Sequence, residues 1–236
     1  MAVAQYEAAP LRLKICDIAT GSTTTHLADL DYSPEGIRWT PDGNSLLFDM
    51  EVRARTQVAR YDIATGSLVV VSATGTNICA WPIGVDKNWV VFSRHTMNQP
   101  AELFVAPLSG EQAQIPKQVT FFNSDHLRNC LFGEVTEFVF PGFNHEDAQA
   151  WLIKPVGFDA TKQYKLAVIV HGGPQGSIHD GWHYRWCEGR SHCALIWTTI
   201  LWLHCLVGFF VRVFVHFYSF YHIIKNQLNN CKSFTY

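Results

Sequence analysis

The chain has 236 residues, a formal net charge of −2, 48% apolar residues and 16% charged ones. That length carries one large domain or two small ones, and the near-neutral charge offers no basic surface to nucleic acid. A mean hydropathy near zero excludes both a disordered chain and a polytopic membrane protein.

These averages conceal a seam. Residues 187–236 hold four of the seven cysteines, eleven of the 32 aromatics, no Pro, no Asp and only five charged residues. Residues 1–186 hold all ten prolines and 33 of the 38 charges. The N-terminus, Met1-Ala-Val-Ala-Gln-Tyr-Glu7, has neither the basic nor the apolar region of a signal peptide, and no Asn-x-Ser/Thr sequon occurs. Outside the tail only Cys16, Cys79 and Cys130 remain, far apart and without a CxxC, so they are expected to be reduced and buried. Together these features favour the cytosol over secretion.

In chain order, the first pattern is self-similarity. Asp17-Ile-Ala-Thr-Gly-Ser22 returns letter for letter as Asp62-Ile-Ala-Thr-Gly-Ser67, and a looser copy ends at Val105-Ala-Pro-Leu-Ser-Gly110. Trp39-Thr-Pro-Asp-Gly-Asn-Ser-Leu-Leu-Phe48 returns, degenerate, as Ile83-Gly-Val-Asp-Lys-Asn-Trp-Val-Val-Phe92. A period in the mid-forties built of short strands and turns indicates β-propeller blades. Pro41-Asp-Gly-Asn44 is a tight turn, Ser45–Asp49 a buried strand, Val58–Ile63 an alternating strand, and Leu68–Val71 the strand after the second Thr-Gly turn. Asp17, Asp42 and Asp62 therefore read as turn-forming acids rather than ligands or bases. Two full repeats and part of a third fill roughly residues 11–132, only part of a ring, with unpaired outer edges.

Beyond Phe132 the pattern changes. Glu134–Phe140 alternates as a strand, Pro141–Asp147 turns, and Ala148–Pro155 returns as the second arm of a hairpin. Lys165-Leu-Ala-Val-Ile-Val170 is a continuous apolar run typical of a strand covered on both faces, and it ends in His171-Gly-Gly-Pro-Gln-Gly-Ser177. A Gly-Gly turn at the carboxyl end of such a strand exposes backbone N–H groups where α/β enzymes hold their substrates. Glycine suits it because a Cβ would block close approach of a carbonyl, and oxyanion holes of α/β-hydrolases use loops of this type.

The motifs from Ser33-Pro-Glu-Gly-Ile-Arg-Trp-Thr-Pro-Asp-Gly43 through Phe92-Ser-Arg94, Pro100-Ala-Glu-Leu-Phe104, Trp151-Leu-Ile-Lys-Pro155, Gly157-Phe-Asp159 and His171–Ser177 to Asp180-Gly-Trp-His-Tyr-Arg-Trp186 resemble the prolyl oligopeptidase family of serine peptidases, in particular its dipeptidyl-peptidase V and acylaminoacyl-peptidase branch. The resemblance covers about residues 31–186. It implies a partial β-propeller of two to three blades over residues 1–132, followed by the start of an α/β-hydrolase domain over 133–186. It also implies hydrolysis of short peptides by a Ser-Asp-His triad without metal or organic cofactor. By position, Gly173 with Gly172 beside it would supply the oxyanion-hole amide, while His171 and Pro174 shape the motif loop.

The triad itself is missing. The nearest approach to Gly-x-Ser-x-Gly is Gly189-Arg-Ser-His-Cys193, which lacks the last glycine and any preceding strand, and no Asp follows Asp180. The chain is therefore expected to be a truncated, inactive form of a serine peptidase. A non-catalytic propeller fragment that binds without cleaving is the alternative. The tail, 187–236, stands apart from the family pattern, as a gene-model or splicing artefact would. Its uncharged stretch 191–211 is also long enough for a C-terminal membrane anchor, and a remnant of the hydrolase is the third reading. The His and Cys residues of the tail do not follow a zinc spacing.

Overall fold

The structure is a computed structural model that describes residues 9–72, 74–84, 88–108, 115–142, 146–170, 177–182 and 198–203. The chain divides into two compact units, one of residues 1–125 with 179–182, the other of 126–178 with 183–236. The short segment His179–Trp182 belongs to the first unit.

In the first unit, β1 (Leu13–Cys16) and β2 (Thr23–His26) form a hairpin. Four strands follow as an antiparallel meander: β3 (Glu35–Trp39), β4 (Ser45–Val52), β5 (Arg55–Asp62) and β6 (Leu68–Ser72). A second meander repeats it with β7 (Thr76–Ile83), β8 (Trp89–Thr96), β9 (Gln99–Pro107) and the two-residue β10 (Lys117–Gln118). These are two blades and a hairpin, as the sequence repeat requires.

The turns explain why the repeat is so literal. Asp17 Oδ1 accepts the Ala19 and Thr20 N–H groups at 2.8 and 3.1 Å, and the Gly21 N–H closes onto the Asp17 carbonyl at 2.8 Å. Asp62 Oδ1 accepts the Thr65 N–H at 2.8 Å, with Gly66 closing at 2.9 Å. Gly21 and Gly66 both sit at φ +70°, which any Cβ would penalise. Asp42 accepts from the Thr40 hydroxyl at 2.6 Å and from the Asn44 N–H at 3.1 Å. All three acids are turn formers.

Period-two alternation then builds two cores from one strand. Leu46, Phe48 and Met50 of β4 join Leu13, Ala59 and Tyr61 on the side of the first hairpin. Leu47 points the other way and, with Val58 and Val71, meets Ala80, Val90, Phe92, Phe104, Ala106 and Leu108 of the second blade. Each fully buried Leu, Val, Phe or Met among them stabilises by roughly 1.5–3 kcal/mol. Strand β5, which alternation alone would leave half exposed, is covered on both faces because it stands between two layers.

The second unit holds β11 (Val135–Pro141), β12 (Asp147–Ile153), β13 (Lys165–Val170) and β14 (Thr198–Leu203) in the spatial order β11-β12-β14-β13. The β11–β12 hairpin and strand β13 lie where the sequence predicts them, but β13 stands at the end of the sheet order with Leu166, Val168 and Ile169 only half-buried, so among the described residues it is not the strand covered on both faces that its apolar run suggests. β14 is the surprise: it pairs antiparallel with β12 and parallel with β13. Sequence composition sets 187–236 apart as unrelated to the sheet, yet Thr198–Leu203 is inserted in its middle. Its uncharged sequence suits a strand flanked on both edges. Phe140 and Ala150 are buried there, with Phe138, Leu152, Leu166 and Val168 packed against them.

The cysteines depart from expectation. Cys16, Cys79 and Cys130 are free, but all three are exposed. Cys16 falls on the outward side of β1, and Cys79 lies at φ +59°, where the left-handed backbone turns its side chain off the strand. Among the described residues, no helix is long and apolar enough to cross a membrane.

Candidate functional site

The candidate site is the carboxyl end of β13. Lys165–Val170 runs parallel to Thr198–Leu203 with Val170 opposite Leu203, so two neighbouring strands end on the same side of the sheet. In open α/β sheets substrates bind outside the carboxyl ends of such strands. His171, Gly172, Gly173 and Pro174 follow β13 directly and lie outside the described residues, as do Ser191 and Trp186. The residues after the motif are described. Trp151 Nε1 donates to the Ile178 carbonyl at 2.9 Å, tying that end of the segment to β12. On the same sheet, Glu134 pairs with Lys154 Nζ at 2.9 Å, which holds its carboxyl below the usual range. Asp159 is also held low, by the Thr161 hydroxyl and N–H, and caps its own turn. Neither acid is poised as a general base.

In the first unit the segment His179–Trp182 is densely held. The Asp180 N–H donates to the Ala54 carbonyl at 2.8 Å, and its own carbonyl accepts the Thr76 hydroxyl at 2.8 Å. Asp180 Oδ1 accepts the Met97 N–H at 3.0 Å, while Oδ2 lies 3.6 Å from Arg55 Nε. The Trp182 N–H donates to His95 Nδ1 at 2.8 Å, and His179 Nε2 stands 3.2 Å from a Glu51 carboxylate oxygen. Gly181 is required, since a Cβ there would lie 2.8 Å from the His95 ring. Sequence reasoning used Asp180-Gly-Trp182 only as a family signature and missed this anchoring role. Nothing local signals it, because the partners lie more than eighty residues upstream.

Beneath this segment runs a buried polar knot. Arg94, only 9% exposed, donates from Nε to Asn77 Oδ1 at 2.8 Å and stacks 4.5 Å from the Phe104 ring centroid. Burial lowers its pKa. The fully buried Asn77 answers by donating its amide to the Thr56 and Thr74 carbonyls at 3.0 Å each. Such a network fixes the packing of one blade on the next.

A groove of about 570 Å³ between the first hairpin and the first blade is lined by Asp17, Ser22, His26 and Trp39, among others. It holds the residue types of a triad without the arrangement. Asp17 is committed to its turn, and His26 Nδ1 bonds the Tyr61 hydroxyl at 3.0 Å. No hydrogen bond joins Ser22 to His26 among the described residues, so the geometry of nucleophile and base is missing.

Similarity to known proteins agrees with the fold. No family model matches the chain. It is 31% identical over 205 residues to a probable dipeptidyl-peptidase 5 of Aspergillus clavatus, across 77% of this chain and 25% of that protein. Identity is 29% over 190 residues to a dipeptidyl-peptidase 5 of Aspergillus fumigatus, with the same two shares. The chain thus spans about a quarter of the length of the curated relatives it matches. Among solved structures, an acylaminoacyl peptidase of Pyrococcus horikoshii superposes with a TM-score of 0.64 at 20% identity, covering 85% of this chain and 29% of that one. The dipeptidyl peptidase 4 of Porphyromonas gingivalis gives 0.59 at 15% identity, over 81% and 27%. At those identities the structures speak for the fold alone.

Proposed function

We propose, on the premise that this chain belongs to the prolyl oligopeptidase family, that its function is that of a serine peptidase cleaving short peptides by acyl transfer. The chemistry follows the general course of such enzymes. A serine Oγ adds to the scissile carbonyl as a base takes its proton, the amine leaves, and water then releases the acyl group. This chain would contribute the oxyanion hole, with the Gly173 N–H donating to the developing O⁻ and Gly172 leaving room for it. The observation that carries the reading is His171-Gly-Gly-Pro-Gln-Gly-Ser177 at the carboxyl end of β13 in a sheet ordered β11-β12-β14-β13. No Gly-x-Ser-x-Gly occurs in the 236 residues, so the chain alone would bind peptides without cleaving them.

The test pairs two proteins: this chain, and the product of any longer transcript from the same gene. Each is treated with a fluorophosphonate probe and with dipeptidyl and acylaminoacyl p-nitroanilides. The expected result is labelling and turnover by the longer product only, and a lower kcat for Gly173→Ala in it, because the new Cβ crowds the carbonyl that the retained N–H must reach. A longer product without a Gly-x-Ser-x-Gly, or one inert to both reagents, refutes the peptidase reading. Labelling of the 236-residue chain refutes its inactivity.

A further inference from the structure

The first strands of the two blades share an irregularity that the sequence repeat does not announce. In the first blade, Glu35 pairs with Asp49 and Arg38 with Leu47, so Gly36 and Ile37 together oppose Phe48. In the second, Ile78 pairs with Ser93 and Trp81 with Val91, so Cys79 and Ala80 together oppose Phe92. These are the same β-bulge at the same place in the repeat, and bulges re-aim the side chains that follow them. Gly36 and Cys79 both sit at φ +59°. In the second blade the left-handed position is held by a residue with a Cβ, a strained choice of the kind that marks a functional segment.

The residues immediately after the two bulges, Arg38 and Trp81, occupy corresponding positions and meet. The Arg38 guanidinium carbon lies 3.7 Å from the Trp81 ring centroid. Trp81 is 53% exposed, so its indole stays open to a ligand beside the guanidinium. Stacking engages the face of a guanidinium and leaves its planar fork of N–H groups for a carboxylate. Among the described residues no hydrogen bond uses that fork. Asp49 on β4 acts on Arg38 and in turn feels Glu35 on β3. Asp49 accepts the Cys79 N–H and attracts Arg38, while burial raises its pKa to about 6.

We propose that Arg38 and Trp81 form a binding site for an α-carboxylate carried beside an apolar side chain, such as the C-terminus of a short peptide. Arg38 grips the carboxylate in a bidentate pair, and the exposed Trp81 ring receives the apolar group. Below the Asp49 titration the competing charge is removed and the site becomes more cationic. Only the choice of a peptide as the source rests on the peptidase reading, and binding without turnover is measured separately from catalysis.

The test is calorimetric titration of the 236-residue chain with N-acetyl-phenylalanine, Ala-Ala-Phe and the C-terminal amide of each. The free acids are expected to bind at least about tenfold more tightly than their amides, and more tightly at about pH 5.5 than at 7.5. Tighter binding of Ala-Ala-Phe points to a peptide, and equal affinity to the carboxylated residue alone; either supports the site. Arg38→Gln should weaken the acids about tenfold without touching the amides, and Arg38→Lys, which keeps charge but loses the fork, several-fold. Asp49→Asn should abolish the pH dependence. Equal affinity for acid and amide, no saturation by about 10 mM, or unchanged binding in both Arg38 variants at native circular dichroism overturns the proposal.

Discussion

Replacing Asp180 tests whether the segment after the His171–Ser177 motif is an integral part of the blades. Its side chain makes a charge-assisted hydrogen bond from the Met97 N–H at 3.0 Å and an ion pair to Arg55 at 3.6 Å, with only 15% of the carboxylate side chain exposed. Asp180→Ala removes both and leaves the Met97 N–H without that acceptor, a loss of about 2–4 kcal/mol. Asp180→Asn keeps a carbonyl for Met97 and deletes only the ion pair, which at this distance and exposure is about 0.5–1 kcal/mol. Thr76→Val removes a single neutral hydrogen bond to the Asp180 carbonyl, about 1 kcal/mol. Urea unfolding of the whole chain, followed by tryptophan fluorescence, reads these losses as shifts in midpoint. With a slope near 2 kcal/mol/M, Asp180→Ala should move it by about 1–2 M and Asp180→Asn by about 0.3–0.5 M. A shift below about 0.3 M for Asp180→Ala, or equal shifts for both replacements, would refute this account of the anchor.

Two further outcomes follow from the same geometry. Asp49 has its pKa raised from 3.8 to about 6 by burial, so the native state holds a proton that the unfolded chain releases. Its contribution is present in full below pH 3.8 and is lost as pH rises through about 6, at most about 3 kcal/mol for a half-buried group; a stability–pH profile with no difference between wild type and Asp49→Asn across that window contradicts it. Gly133→Ala would place a Cβ 1.8 Å from the Lys154 carbonyl, whereas a Cβ at Gly21 meets nothing within 4 Å and suffers only its φ of +70°. Gly133→Ala should therefore cost about 3 kcal/mol or more and Gly21→Ala about 1–2, and near-equal melting temperatures for the two would count against the close approach.

How much of this was legible in the residues depends on how far each interaction reaches. The Asp17 and Asp62 turns close within five residues, so identical chemistry leaves identical letters, and the blades could be read from them. The bulges at Gly36 and Cys79 are set by pairing with β4 and β8. With glycine in one copy and cysteine in the other, the shared backbone left no shared letter. Strand β13 announced itself by its apolar run, and with it the place of the His171 motif, but its place at the end of the sheet order did not. β14 stayed hidden, because an uncharged aromatic stretch reads as artefact, anchor or hydrolase remnant until its two strand partners are known. The His179–Trp182 contacts depend on partners scattered from Glu51 to Met97, which no local pattern can encode.

That anchor bears on the order in which the molecule can be made. A chain emerging from the ribosome has both blades by residue 118, but the segment that binds Ala54, Thr76, His95 and Met97 is not synthesised until residue 182. For more than sixty residues of translation the first unit stands without these contacts. Its last contacts form only after β11, β12 and β13 have been made. The blades are thus finished by a peptide encoded within the following domain. A gene cut at the apparent boundary near 132 would yield a propeller fragment lacking its own closing clasp, less stable than the same blades in the longer chain.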